Sequence, residues 1–193
     1  MRKILFIICW ALAGVGLYSC SLDEPSYGKT TSDNYYQKES DIEQALTGAY
    51  LQLRTTWNEY ALNHYFVGDC STDDALKGGG NDGDRAEVRD LSDFTIYTTN
   101  GEVGRRWEIL YRLINRCNDV IYYAPDAIGN EELLKRYANE AKALRAFGYY
   151  CLVTTFGEVP LITTPMQPAE ILQIPRSPLE KVYELSLIHI SEP

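Results

Sequence analysis

Residues 140–162 read EAKALRAFGYYCLVTTFGEVPLI, and this stretch decides the fold. Small and apolar side chains recur in its first part every three or four positions, as they do along one face of an α-helix. Gly157 interrupts the pattern, and Pro160 lacks the amide hydrogen that a continuing helix needs. Upstream, Asn130 can accept hydrogen bonds from the first free amides of a helix. The pattern therefore predicts one helix from about residue 131 to 155.

A second long helix is predicted before this one, from about Glu102 until Pro125. Its apolar face consists of Trp107, Leu110, Tyr111, Ile114, Cys117 and Ile121. Because only a short turn separates the two helices, they should form an antiparallel hairpin with Trp107 in its core. Lone charges are costly to bury, so Glu140 and Arg145 need polar partners on the facing helix. The candidates for these partners are Asn115, Arg116 and Asn118.

The rest of the ordered pattern is also helical. Ser40 and Glu43 have the spacing of a capping box, which predicts a helix over about Asp41 to Thr55. Residues 56–68 are rich in aromatic side chains and fit either a second helix or an irregular stretch. After a proline-rich extended segment, a second capping box at residues 177–180 begins a last helix. The fold class is therefore mainly α, with helical hairpins that resemble tetratricopeptide repeats.

Residues 69–102 have a different character, because they are rich in Asp, Gly and Asn and show no helical period. They predict a long irregular surface loop, and long ordered loops are uncommon unless they are functional. Gly78, Gly80 and Gly83 have the spacing of a dinucleotide fingerprint but lack the strand and helix that must flank it. Residues 81–84 lack the spaced carboxylates of an EF-hand loop. No catalytic residue, metal site or cofactor is predicted.

Composition narrows the classes of partner. The 193 residues include 27 acidic and 18 basic side chains, for a net charge of −9. An acidic chain without a basic block is a poor ligand for polyanionic nucleic acid. The 15 tyrosines offer apolar faces with a hydroxyl, which suits polar ligands and also ordinary helix packing. Cys117 and Cys151 lie on apolar helix faces, so we expect free, buried thiols there.

The N-terminus has the features of an export signal. Arg2 and Lys3 precede an apolar run of 14 residues from Ile4 to Leu17, the length of a signal-peptide core. The run ends at a segment that resembles the bacterial lipobox, which predicts removal of residues 1–19 and lipid attachment at Cys20. The alternative is an ordinary cleaved signal in which Cys20 has no role. Residues 20–39 then form a tether, and their acidic start resembles the surface-export signal of Bacteroidetes lipoproteins.

Two segments together resemble a known family. They are the 140–162 stretch and the segment Trp107-x3-Tyr111-x-Leu113-Ile114-x-Arg116-x-Asn118-x-x-Ile121. Both are similar to the N-terminal part of the SusD/RagB family of nutrient-binding outer-membrane lipoproteins. Further matches occur in residues 45–50 and 174–183, so the resemblance runs from Cys20 to about Leu185. It implies a helical scaffold that forms a lid over a SusC-like TonB-dependent transporter and captures oligosaccharides without covalent chemistry.

The resemblance also implies that part of the glycan site lies in the 69–102 loop. Asp73, Asp74, Tyr97 and Asn100 supply hydrogen-bond acceptors, donors and one stacking face there. Sugar C–H faces pack on aromatic rings, and hydroxyl groups pair with carboxylates and amides. The alternative for each residue is a solvated position in an acidic loop. Two other functions stay open, a helical-repeat module that binds only proteins and a surface glycoside hydrolase that uses Asp73 or Asp74.

The last eight residues differ from the rest of the chain in their expected origin. Residues 186–193, SLIHISEP, resemble the translation of a sequencing-adapter read-through, so we expect them not to be native. A divergent native terminus is the alternative. The first interpretation leaves residues 40–185 as the helical region of an N-terminal fragment.

Overall fold

The structure is a computed structural model that describes residues 35–54, 60–81 and 83–191, with the backbone alone over 186–191. The predicted signal peptide, Cys20 and most of the predicted tether lie outside the described residues. Helices dominate the described part, which confirms the predicted mainly α fold class. The origin of residues 186–193 stays a prediction.

Seven α-helices and one small sheet make up the described part of the chain. The helices are α1 (Glu39–Tyr50), α2 (Tyr60–Val67), α3 (Ala86–Ser92), α4 (Gly101–Tyr123), α5 (Glu131–Phe156), α6 (Pro168–Ile171) and α7 (Leu179–Ser191). Short 3-10 turns lie at Leu51–Leu53, Asp69–Ser71 and Ala124–Asp126. Strands β1 (Val159–Pro160) and β2 (Arg176–Ser177) pair antiparallel, with Val159 opposite Ser177.

The α4–α5 hairpin has the ends that the sequence predicts. The Asn130 side-chain oxygen accepts hydrogen bonds from the amides of Glu132 and Leu133, at 2.9 and 3.3 Å. Helix α5 stops at Gly157, whose φ of 72° is a conformation that favours glycine. Between the two helices, Pro125 lies in the 3-10 turn that follows α4. These local signals confirm the predicted hairpin.

Two apolar clusters hold the helices together. In the first, α1 packs across the hairpin and buries Ile42, Leu46 and Ala49 against side chains of α4 and α5. In the second, α4 and α5 enclose β1 and α7; its members include Leu110, Ile114, Tyr149, Leu152, Val159 and Val182. Cys70, Cys117 and Cys151 are buried and free, as predicted for Cys117 and Cys151. Burial of apolar area is the main stabilising contribution in such clusters.

A buried polar network joins α4 to α5, as the facing Asn and Arg residues predict. Arg145 Nη1 donates to Asn118 Oδ1 and to the carbonyl of Thr163, both at 2.9 Å. Asn118 Nδ2 donates in turn to the carbonyl of Ile162 at 2.8 Å. Glu140 pairs elsewhere, because it accepts from Arg136 on the preceding turn of its own helix and from the Tyr50 hydroxyl of α1. The predicted partnership therefore holds for Arg145 and is wrong for Glu140.

Two sequence-based boundaries need correction. Helix α1 begins at Glu39 because the Lys38 amide donates to Asp41 Oδ2 at 3.0 Å, so Asp41 serves the cap that Ser40 and Glu43 were expected to provide. The 69–102 region is not wholly irregular, since it contains helix α3 and a 3-10 turn. Val88 and Leu91 are buried and hold α3 to the body, which explains its order.

Candidate functional site

The segment from residue 69 to residue 100 contacts the helical body at several of its described residues. At its start, the Ser71 hydroxyl donates to the carbonyl of Val67 at 2.6 Å, and Cys70 is buried. Farther along, the Lys77 amide donates to the Ser92 hydroxyl at 3.4 Å, so the chain that precedes α3 is joined to the last residue of that helix. These contacts hold the described residues of the segment on the surface of the protein.

Apolar side chains are exposed just after α3. Phe94 is 68%, Ile96 48% and Tyr97 66% exposed, and we refer to residues 94–97 as the aromatic turn. Its backbone is held by two hydrogen bonds, from the Phe94 amide to Leu91 and from the Thr95 amide to Asp90, at 3.3 and 2.9 Å. Phe94 adopts φ 56°, which is unusual for a residue with a bulky side chain. A fixed backbone that exposes several apolar side chains is typical of a binding surface.

The four predicted ligand-binding residues fall in two places. Tyr97 and Asn100 share one turn, in which the Asn100 amide donates to the carbonyl of Tyr97 at 3.0 Å. Asp73 and Asp74 are exposed in the part of the segment that precedes α3. The Asp74 amide donates to the Thr72 hydroxyl at 3.2 Å, which fixes the backbone of a short turn at Asp74. Their contact with a ligand stays a prediction.

Asn100 has a supporting position under the aromatic turn. Its side chain is buried, its oxygen accepts from the amides of Glu102 and Val103, and its Nδ2 donates to the carbonyl of Glu87 at 2.8 Å. One side chain thus caps α4 and holds the start of α3. These bonds use the side-chain oxygen and one hydrogen of Nδ2, so the geometry favours a role in placing Tyr97 over direct contact with a sugar.

Glu102 is a residue of this region that the sequence interpretation missed. It is only 6% exposed, and its carboxylate lies 3.8 Å from Arg85 Nη1 and 3.7 Å from Arg105 Nε. Asn63 Nδ2 donates to the Glu102 carbonyl at 2.9 Å, and lies 3.4 Å from Oε2. A spacing of 17 residues between Arg85 and Glu102 carries no local signal, so only the folded chain reveals the cluster.

The prediction that Trp107 lies in the core is wrong. Trp107 is 36% exposed, and its ring packs edge-on against Phe156, with centroids 5.1 Å apart. It borders a surface cleft of about 230 Å³ whose other walls include Tyr111, Ile114, Pro160 and Ile171. Trp107 begins the apolar stripe of α4 at its edge, where the neighbouring segments leave part of its side chain exposed.

The buried thiols and phenols are kept protonated. Burial raises the pKa of Cys117 to about 12 and that of Tyr149 to about 12, and it also raises the pKa of Cys151. A thiol is nucleophilic only as its thiolate, so these cysteines are inert at neutral pH. Within the described ranges, no group of three His, Cys, Asp or Glu side chains could hold a metal ion. No helix in the described part of the chain has the length and apolarity needed to cross a membrane.

Curated relatives resemble this chain over nearly all of its length. SusD-like protein P2 from Formosa agariphila is 29% identical over 187 residues, which are 94% of this chain and 35% of the relative. SusD-like protein P25 from the same organism is 26% identical over 91% of this chain and 34% of its own length. The chain therefore spans about a third of the length of the curated relatives that it matches.

Solved structures share the fold. A laminarin binding SusD-like protein is 30% identical with a TM-score of 0.73, over 80% of this chain and 33% of that protein. Surface glycan-binding protein A from Bacteroides fluxus is 27% identical with a TM-score of 0.67, over 80% of this chain and 32% of its own. Both are named as binding proteins.

A family model also matches most of the chain. The SusD-like_3 model, described as starch-binding associating with outer membrane, matches residues 21–188. That match includes the α4–α5 hairpin and the whole 69–100 segment with its aromatic turn. The shared fold, the curated relatives and the extent of this match agree with the resemblance in the two helix motifs. The chain belongs to the SusD-like family.

Proposed function

We propose that the protein containing this chain binds glycans at a bacterial cell surface, and that the aromatic turn forms part of the binding site. The observation that carries the proposal is the exposure of Tyr97 and Phe94 on a backbone fixed by the buried Asn100 side chain. A preformed apolar face loses little conformational freedom on binding, so its stacking contact contributes more of its energy to affinity.

Charge favours an uncharged oligosaccharide as the ligand. The chain has a net charge of −9, and exposed Asp73 and Asp74 lie in the same segment as the aromatic turn. Carboxylates accept hydrogen bonds from sugar hydroxyls but repel anionic groups such as uronates and sulfates. The family description names starch, and one structural neighbour is named for laminarin; both are neutral glucans. Laminarin and soluble starch are therefore the first probes to use.

Replacement of Tyr97 tests this site. In the full-length protein, Tyr97→Ala should weaken retention of laminarin or soluble starch in affinity electrophoresis by about tenfold, because one stacking contact is lost. Tyr122→Ala is the matched control, since Tyr122 is also exposed but lies on α4 near its C-terminal end. Equal retention by the wild type and the Tyr97 variant would remove the aromatic turn from the site.

We further propose that the protein is an outer-membrane lipoprotein that faces the cell exterior and hands its ligand to a SusC-like TonB-dependent transporter. The lipobox-like segment that ends at Cys20 supports lipid attachment there, and the family description supports the outer membrane. Cys20→Ala should abolish radiolabelled palmitate incorporation and release the protein from membranes, whereas Cys117→Ala should do neither. Retained label in the Cys20 variant would contradict the anchor, and failure to co-purify a barrel transporter would contradict the hand-off.

A further inference from the structure

The buried carboxylate of Glu102 connects elements that are far apart in sequence. Its partners are Asn63 in α2, Arg85 immediately before α3, and Arg105 on its own helix α4. A carboxylate that leaves water requires charged or hydrogen-bonding partners, and Glu102 has both kinds. The cluster thus joins a residue before the 69–100 segment, a residue within it and two residues after it.

The geometry at Arg85 shows what this contact controls. Arg85 has φ 49°, a left-handed conformation that is uncommon in residues other than glycine, and α3 begins at the next residue. Its guanidinium lies 4.4 Å above the centre of the Phe66 ring and 3.8 Å from Glu102. The contacts with Phe66 and Glu102 therefore hold the residue that sets the starting point and direction of α3.

A continuous series of contacts leads from α3 to the aromatic turn. Glu87 Oε1 accepts from the Gly101 amide at 3.1 Å, and the Glu87 carbonyl accepts from Asn100. At the other end of α3, the Thr95 amide donates to the carbonyl of Asp90. A shift in the start of α3 would consequently move the backbone that presents Tyr97.

We propose that Glu102 is a positioning residue for the glycan site: its carboxylate holds Arg85 and α3 against the start of α4, and so keeps Tyr97 in the orientation that binds the sugar. This inference rests on the glycan-binding function proposed above. Glu102→Gln separates charge from shape, because glutamine has the same size and still accepts a hydrogen bond from Asn63 but no longer pairs with guanidinium groups.

The first experiment needs no ligand. Amide hydrogen exchange in the full-length protein should become faster over residues 86–97 in Glu102→Gln, because local opening of α3 becomes easier. Glu108→Gln is the matched control: Glu108 lies on the same helix and pairs with Arg112, but its side chain is largely exposed. Faster exchange confined to residues 86–97 in the Glu102 variant alone supports the proposal, and unchanged exchange there overturns it.

The second experiment measures retention of laminarin and soluble starch at a temperature where every variant is folded. If the turn is correctly placed about a tenth of the time in Glu102→Gln, the dissociation constant rises about tenfold. Glu108→Gln should match the wild type. Adding Arg85→Gln to Glu102→Gln should weaken binding by less than the sum of the two single changes, because both remove the Arg85–Glu102 pair and only Arg85→Gln also removes the contact with Phe66. A purely stabilising role would lower the melting temperature and leave the dissociation constant unchanged, which would overturn the proposal.

The outcomes separate this inference from the proposed function. Weak binding by Tyr97→Ala with normal binding by Glu102→Gln overturns the positioning role alone. Normal binding by Tyr97→Ala, or no retention of either polysaccharide by the wild type, overturns the proposed site; the exchange measurement then still decides whether Glu102 holds α3.

Discussion

Single buried polar residues decide how the chain leaves the α4–α5 hairpin. Asn118 and Arg145 bond to each other and to carbonyls of residues 162 and 163, which follow β1. The Tyr149 hydroxyl also donates to the Ile162 carbonyl, at 2.9 Å, and accepts from the Ile162 amide. Three side chains thus satisfy the backbone of a segment that has no regular structure of its own.

Removal of Asn118 should therefore be costly. Asn118→Ala should lower the free energy of unfolding by about 2–3 kcal/mol, because it leaves the Ile162 carbonyl and part of Arg145 without this partner in a buried place. Asn115→Ala, one turn away at an exposed position of α4, should change it by less than about 0.5 kcal/mol. Urea titration of both variants is the measurement, and equal midpoints would refute the role of the network.

The contrast between Asn118 and Trp107 shows which residues can be predicted from a sequence. Asn118 was expected, with Asn115 and Arg116, among the partners of Arg145, because a buried charge needs polar neighbours and these residues lie on the preceding helix. Trp107 was expected in the core because it shares the apolar spacing of α4, yet 36% of its surface is exposed. Spacing identifies a helix face, but how far neighbouring elements cover that face depends on the packing of distant segments.

The two long helices, α4 and α5, each begin with an asparagine cap, but the two caps lie in different surroundings. Asn100 and Asn130 each accept two amide hydrogen bonds from the first turn of their helix. Asn130 is exposed, whereas Asn100 is buried and also donates to the carbonyl of Glu87. The cap of α4 therefore also connects that helix to α3.

The two caps should differ in energy. Asn130→Ala should cost about 1 kcal/mol of stability, the usual effect of losing a side-chain cap. Asn100→Ala should cost about 2 kcal/mol or more, because the buried Glu87 bond is lost as well. Thermal unfolding of the two variants compares them directly. A larger effect at Asn130 would mean that burial adds nothing to the Asn100 cap.

Helix α3 was missing from the sequence-based prediction for a physical reason. It has seven residues, less than two full turns, and its apolar signal consists of Val88 and Leu91 in a region rich in Asp and Gly. Helices of this length are unstable alone and depend on tertiary contacts. The contacts of Arg85 with Glu102 and Phe66 are such tertiary contacts, and no local sequence pattern predicts them. The long helices, whose caps and periods are local, were predicted within a few residues.

Across the whole molecule, the burial of thiol and phenol groups makes stability depend on pH. The pKa of the Cys117 thiol rises from 9.0 to about 12 and that of Tyr149 from 10.0 to about 12, both mainly through burial. Burial raises the pKa values of Tyr36, Tyr60 and Tyr111 as well. Above pH 9 the unfolded chain releases protons that the folded chain retains, so alkali favours unfolding.

The stability that these protonated groups contribute should accordingly be present in full below about pH 9 and be lost progressively as the pH rises toward 12. Between pH 8 and pH 10.5, Cys117 alone should reduce the free energy of unfolding by about 2 kcal/mol. Urea midpoints at several pH values measure the loss. Cys117→Ala should show a flatter profile between pH 9 and 10, and an identical profile would show that another group titrates there.

Residues 37–39, at the start of α1, pair with Ile128 in the turn between α4 and α5, and this pairing has a mechanical consequence. The Ile128 amide donates to the carbonyl of Gln37, the Glu39 amide donates to the carbonyl of Ile128, and the adjacent Tyr36 ring stacks on Tyr123 at 4.4 Å. Tension applied to the chain at Tyr35, toward its N-terminal side, would load these contacts. Because Lys38 and Ile128 pair in parallel, the load falls on both hydrogen bonds together as shear, and the junction should resist extension better than one whose bonds open in turn.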